Sequence, residues 1–406
     1  MNLKKVTATI MSIVLLMTLL AACANEPEQP QIMGQAEEQH EETQERGQAQ
    51  EPEEFGLAEE ETGQENVLTQ EPSHSDISDI DFETAFAAFP PDTVMFTVGD
   101  LDVTWEILYF RIHVAVASLF TNLGRLPYLS TPTPGGVTYA EMIMEFAVQA
   151  SRQLKVGEFV ARELGVQLEE DDLELLELTL QENINAAGGE DALLEHLWGA
   201  YGIDSIELFR EILMLEYIPM VIFVSQFGEM GSALPDEEVA AHFEDGGFIM
   251  AKHILRQRSA DAPEEALREI EEIYMMLREY RGDDFESFFD ELMHEHTGDP
   301  GVTMFPDGYL FQAGDMVQPF YEAAAALEIG DMSGIVETTH GYHIILRLPL
   351  NYDTTFVSDS LTLRARAAFD KYEAMMTQAM NELTPIFTAE FESLNLADLF
   401  EPCILF

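Results

Sequence analysis

The stretch Phe248-Ile249-Met250-Ala251-Lys252-His253-Ile254-Leu255 decides how the rest of the chain is read. It is a short apolar run broken only by a lysine and a histidine, the pattern of a buried strand carrying one histidine. Pro263 to Arg281 then reads as an amphipathic helix, with Ala266, Ile270, Ile273 and Leu277 on one face. A second, shorter helix covers about 285–296. A loop containing Asp299-Pro300-Gly301 leads to Asp307-Gly308-Tyr309-Leu310-Phe311, and a third helix is expected from Met316 to Leu327. Two strand-like pieces, Gly334 to Thr338 and Gly341 to Arg347, close the region around a tight turn. The order β-α-α-α-β-β, with a short strand ahead of the third helix, predicts a small sheet wrapped by helices.

Three motifs lie inside this region: Ala251-Lys252-His253-Ile254-Leu255, Gly314-Asp315-Met316-Val317-Gln318-Pro319-Phe320 and Gly341-Tyr342-His343-Ile344-Ile345. In this order and spacing they resemble the parvulin-type peptidyl-prolyl cis-trans isomerases, over residues 248–350. The resemblance implies that His253 and His343 face each other beneath a substrate peptide in one hydrogen-bond network. It places Asp299 where family members carry Cys or Asp, tuning the electrostatics near the carbonyl that rotates. It gives Thr338 the family's threonine hydroxyl in the same network. Met316, Phe320 and Phe311 match the apolar pocket for the proline ring, with His340 forming one wall. These residue types suit the reaction. Isomerisation breaks no covalent bond and must only cross a barrier of ~18–20 kcal/mol by losing amide resonance. A dry site that grips proline and prefers the twisted amide does this without nucleophile, metal or cofactor.

Each residue also has a plainer reading. A strand histidine such as His253 is ordinarily a satisfied core residue, Met316 and Phe320 at i and i+4 are ordinarily core, and Asp299 before Pro300 is ordinarily a turn residue. His294-Glu295-His296 is read as a solvated helix end, not a metal site. His113 and His196 are read as structural or surface histidines. There are departures from the family too. The segment from Gly308 to Met316 is one residue longer than usual, so Leu310 competes with Phe311 for the pocket. His340 replaces a serine or an aromatic residue. Arg256 and Arg258 are spaced apart where phosphate-directed members have adjacent basic residues, so no phosphate requirement is expected.

C-terminal to the sheet region, Leu350 to Val357 is a connector and about 358–382 a long helix ending near Pro385. Its stripe Leu361, Ala365, Ala368 and Tyr372 is available for docking. N-terminal to it, Val94, Phe96 and Val98 alternate before Gly99-Asp100 and Leu101, a small hairpin. Thr104 is placed to cap the helix that follows. Helical patterns run over 104–121, 138–164, 170–186, 190–201, 205–227 and 235–244, with Pro219 expected to kink or interrupt the fifth. The apolar run Ile218 to Val224 is too short to span a bilayer. Met and aromatic residues of 205–227 are read as core ahead of a client-binding groove.

At the N-terminus, Lys4 and Lys5 precede an apolar run from Ile10 to Leu20 and then Leu20-Ala21-Ala22-Cys23. A basic start, a short apolar stretch and small residues before a cut site describe a secretory signal. The segment resembles the signal and lipobox of bacterial lipoproteins, which implies a lipid on Cys23. Residues beyond it, to about 85, hold a single basic residue (Arg46) among many acids, with almost no aliphatic pattern. Such a stretch cannot bury enough apolar surface to offset its chain entropy, and it reads as an acidic tether.

The 406 residues carry 19 Lys and Arg against 76 Asp and Glu, a formal charge of −57. That excludes a phosphate-binding surface and hence nucleic acid as partner. Two cysteines exclude a disulfide framework or a cysteine-based zinc cluster. The expected fold class is α+β. It comprises a signal peptide at 1–22, a disordered tether at 23–90, a mostly helical chaperone domain at 91–246, an inserted parvulin domain at 247–350 and a C-terminal helical segment at 351–406 that packs on the chaperone part. The whole resembles the PrsA-type foldase lipoproteins, relatives of the chaperone SurA. This implies an extracytoplasmic, lipid-anchored isomerase on a Gram-positive-type membrane whose partners are unfolded exported polypeptides. A homodimer is left open. A chaperone with a degenerate parvulin domain is the alternative, and a solute-binding lipoprotein a third option.

Overall fold

The architecture, taken from a computed structural model, is described for residues 80–400 apart from 125, 245, 260–262 and 358–360. The signal segment, Cys23 and most of the expected tether lie outside these residues. The tether ends earlier than expected, however. Ile80 is buried, and Phe82–Phe86 (α1) is helical, with Asp81 accepting from Thr84 N at 3.0 Å. Acidic composition hid three aromatics there. Phe82 stacks on His113 at 4.0 Å, Phe86 meets Trp198 at 5.5 Å and Phe89 meets Trp105 at 5.2 Å.

The alternating residues form β1 (Val94–Val98), which turns at Gly99 (φ 61°) into the antiparallel β2 (Leu101–Thr104). Thr104 is the cap residue of α2 (Trp105–Leu123) but makes no side-chain capping bond. Helices α3 (Tyr139–Glu163), α4 (Glu170–Ala187), α5 (Glu190–Tyr201) and α6 (Ile206–Phe227) follow where periodicity places them. The first of these begins on a reciprocal Thr138/Glu141 capping box. Pro219 does not interrupt α6. Opposite it is Gly157 of α3, where a Cβ would meet Pro219 Cγ at an ordinary contact distance of 3.9 Å. After α7 (Asp236–His242) the chain enters the second sheet.

That sheet has the order β4-β3-β6-β5 and is antiparallel throughout, formed by β3 (Ile249–Gln257), β4 (Tyr309–Phe311), β5 (Val336–Thr338) and β6 (Gly341–Leu348). Alternation along β3 and β6 sorts the side chains. Met250, Ile254, Leu310, Ile344 and Leu346 face α8 (Pro263–Glu279) and α9 (Phe285–His296), joining Ile270, Ile273, Leu277 and Phe289. Ile249, Ala251, Phe311 and Ile345 face α10 (Gln318–Ala325), joining Phe320 and Ala324. Both faces being covered explains the continuous apolar run. Lys252 on the first face is buried because its ammonium reaches Glu286 and Asp290, each at 2.9 Å. The third helix starts at Gln318, not Met316. Pro319 favours a helix's first turn, and Val317 precedes it as cap. Met316 and Phe320 are therefore not two turns of one helical face.

The C-terminal helix α11 (Leu363–Glu382) begins later than the expected 358, because Thr362 caps it by accepting from Ala365 N at 3.1 Å. Ala365 and Ala368 are buried as expected, together with Leu363 and Ala367. Arg364 fastens this helix to α7 and the connector, through Asp236 (2.6 Å) and Asp353 (2.6 Å). A three-residue strand, β7 (Pro385–Phe387), was not legible in the sequence. It pairs antiparallel with β1, so the segments before and after the second sheet share one sheet of order β2-β1-β7. Short helices α12 (Ala389–Glu392) and α13 (Leu396–Phe400) follow, the last adding Leu396 and Phe400 to the helical core. Among the described residues no helix is long and apolar enough to cross a membrane.

Buried His113 in that core gives a pH-dependent stability. Its Nε2 donates to Gly199 O at 3.2 Å, its Nδ1 has no partner, and burial lowers its pKa from 6.5 to about 4. A depressed folded-state pKa means the unfolded chain takes up the proton first. Stability is therefore full above about pH 6.5 and is lost as pH falls toward 4. We expect His113 to account for about 2 kcal/mol of the loss between pH 7 and pH 5. Urea midpoints of wild type and His113→Gln at both pH values check this, since parallel losses in the two proteins would refute it.

Candidate active site

His253 sits on β3 and His343 on β6, two residues out of cross-strand register and so on the same sheet face: Leu255 pairs with His343 and His253 with Ile345. The diagonal brings the rings together on the α10 face. Their Nδ1 atoms are 3.1 Å apart and the rings stack at 5.2 Å. Both residues are buried. Asp299 Oδ2 lies 3.1 Å from His253 Nε2, and Thr338 Oγ1 lies 2.8 Å from His343 Nε2. One hydrogen-bonded line thus runs Asp299–His253–His343–Thr338 across three strands and a loop.

Asp299 is at the same time the turn residue its sequence describes. It caps the short helical turn Pro300–Thr303, and its Oδ1 accepts from Gly301 N at 3.1 Å. Tyr309 OH also donates to Oδ2. Burial alone would raise this carboxyl's pKa. The bonds from His253, Tyr309 and Gly301 outweigh burial and hold it at about 2. At His343, burial leads, with His253 and His340 adding repulsion against a weaker pull from Asp299. The imidazole is lowered to about 3 and is neutral at pH 7.

Phe320 caps the pair. Its ring stands edge-on to both imidazoles, 5.1 Å from His253 and 5.3 Å from His343. Phe311 lies 5.8 Å from it on the same sheet face, while Leu310 faces the opposite core. Phe311 is itself fully buried. Met316 is half-buried against this cluster. His340 is exposed in the β5–β6 turn, its N–H donating to Thr338 Oγ1 at 3.1 Å. Sequence reading missed Tyr309, whose buried ring lies 5.3 Å from that of His253. The residue directly follows Gly308 at the head of β4, and nothing in its type announced a partner. Arg256 and Arg258 are engaged by Glu269 and Glu337 respectively. Among the described residues no group of three or more His, Cys, Asp or Glu is placed to hold a metal ion.

A four-stranded antiparallel sheet with two helices on one face, and an imidazole pair under a phenyl ring on the other, defines a parvulin-type domain. Residues 251–348 match the rotamase family model described as the PPIC-type PPIase domain. A stretch of 120 residues is 32% identical to a Drosophila melanogaster protein named as peptidyl-prolyl cis-trans isomerase dodo, covering 29% of this chain and 69% of that one. The chain belongs to the PPIC-type peptidyl-prolyl cis-trans isomerase family. A longer stretch of 213 residues is 32% identical to the Foldase protein PrsA of Halalkalibacterium halodurans, covering 51% of this chain and 57% of that relative. The match therefore spans little more than half of that protein's length. The crystal structure of PrsA from Bacillus subtilis superposes with a TM-score of 0.24 at 21% identity, covering 63% of this chain and 90% of that one.

Proposed function

We propose that the protein is an extracytoplasmic foldase, held to a membrane by a lipid on Cys23, that isomerises X-Pro bonds in exported polypeptides. The parvulin region at 247–350 performs the isomerisation. The helical part, 91–246 with 351–406, holds unfolded clients, which include stretches the acidic surface attracts through basic residues. The observation that carries the reading is the unbroken line from Asp299 through both imidazoles to Thr338, roofed by Phe320. It offers oriented polar groups of fixed direction beside apolar walls. The twisted amide is less polar than the planar one, so a site from which water is excluded favours it. His253, His343, Asp299 and Thr338 are assigned to catalysis. Met316 and Phe320, with Phe311 behind and His340 at the rim, are assigned to the proline-bearing segment. The carboxylates already on Arg256 and Arg258 support the absence of a phosphate requirement.

The test is refolding of a protein limited by one X-Pro isomerisation, a step of tens of seconds or more without catalyst. Wild type is expected to abolish the slow phase at micromolar concentration and His343→Ala to leave it. A second reading, a chaperone whose parvulin region has no useful activity, draws on the burial of Phe320, only 3% exposed. Suppressed aggregation with an untouched slow phase in wild type selects it.

A further inference from the structure

We propose that Tyr309 is a positioning residue, whose hydroxyl bond holds the Asp299 carboxylate where it sets the direction of every hydrogen bond through the imidazole pair. The role rests on the isomerase reading above. Asp299 Oδ2 takes Tyr309 OH and His253 Nε2, while Oδ1 takes Gly301 N. A carboxylate surrounded by three donors acts only as acceptor. His253 must then carry its hydrogen on Nε2 and present a bare Nδ1. His343 in turn donates from Nδ1, leaves Nε2 bare and accepts from Thr338 Oγ1. At the far end Thr338 Oγ1 also accepts from His340 N–H and lies 3.5 Å from Gly341 O, a second acceptor for its hydrogen, so this end leaves the direction to Asp299.

The near end depends on where the carboxylate oxygen sits. Asp299 is half-buried and its carboxyl is held at about 2, so it is ionised at pH 7.5 and the phenol supplies position, holding Oδ2 against His253 Nε2. A carboxylate released from the phenol can pivot on its Oδ1 bond to Gly301 N, and without an acceptor at Nε2 His253 can carry its hydrogen on either nitrogen. The titratable groups facing the carboxyl are His253 from β3 and Tyr309 from β4. His343 from β6, with His340 from the adjoining turn acting on it, lies one link further along.

Tyr309 is suited to a clean test. It is 9% exposed and its ring packs on Phe305 at 4.9 Å, so phenylalanine keeps the packing and removes only the hydroxyl. Gly301 supplies a second route. A Cβ there would sit 2.3 Å from Tyr309 OH, so Gly301→Ala displaces the hydroxyl while leaving both bonding groups in the chain.

The experiment is imidazole ¹⁵N NMR at pH 7.5 together with kinetics on a proline peptide, using the described chain with its flanking segments. Wild type is expected to show one tautomer per ring, Nε2–H for His253 and Nδ1–H for His343. Tyr309→Phe is expected to mix the tautomers and lower kcat/KM about tenfold, the size of one charge-assisted hydrogen bond, with KM almost unchanged. Gly301→Ala should move both readouts the same way, and the double variant should be no worse than Tyr309→Phe alone. Wild-type tautomers in Tyr309→Phe overturn the proposal even if activity falls, because packing would then explain the loss. Mixed tautomers with full activity overturn it as well. A wild type inactive on the peptide removes the isomerase reading, and the tautomer readout still decides the hydrogen-bond order.

Discussion

His253→Ala is expected to lower kcat/KM for a proline peptide by about 100-fold at pH 7.5. The ring is the middle link of the site, bonded at one nitrogen to Asp299 and at the other to His343. Removing it takes one of two donors from the half-buried Asp299 Oδ2, which keeps Tyr309 OH, and orphans the buried His343 Nδ1–H. It also removes one of the two rings that Phe320 covers. Two lost bonds of about 1.5 kcal/mol each amount to about 3 kcal/mol, which is two orders of magnitude in rate. Truncation also leaves a hole under Phe320, so thermal unfolding must accompany the kinetics. His253→Gln keeps a donor toward Asp299 with little loss of volume, and should recover part of the rate. Activity within threefold of wild type in His253→Ala, with the fold intact, would show that the pair is structural.

What the sequence made legible, and what it hid, divides along physical lines. Long periodic segments declared themselves because one face of each meets a core: α2 to α6 and the strands β3 and β6 lie where pattern places them. His253 and His343 were found as a pair only through three motifs read together. Nothing local about either histidine marks a partner 90 residues away. β7 was hidden because three residues carry too little pattern to show a strand, and its pairing with β1 is decided by tertiary contact alone. Phe82–Phe86 was hidden by its surroundings, since acidic composition averages out the aromatics that anchor it to His113 and Trp198. Met316 was placed on a helix by periodicity, but Pro319 favours a later start. Tyr309 reveals itself only when its hydroxyl is seen over the Asp299 turn.

Gly341→Ala is the substitution expected to damage fold and site together, and it tests the link between them. Gly341 opens β6 with φ 142°, a conformation L side chains avoid. A Cβ at this position would lie 2.2 Å from Arg256 O and 3.0 Å from Gln257 Cα, both backbone atoms of the neighbouring strand. No rotamer change relieves such a clash, so β6 must move away from β3 where Arg256 pairs with Tyr342 and Gln257 with Gly341. His343 lies two residues on, and its Nε2 bond to Thr338 spans the same turn. Strain plus lost ladder bonds should cost about 3 kcal/mol, read as a lower urea midpoint at unchanged slope. kcat/KM should fall at least tenfold in the fraction that remains folded. Gly334→Ala is the control, because a Cβ there meets nothing within 4 Å and no left-handed backbone is involved. If both alanine variants unfold at the wild-type midpoint, β3 and β6 do not approach as closely as described. The imidazole pair would then lose its structural basis, because the same two strands hold it.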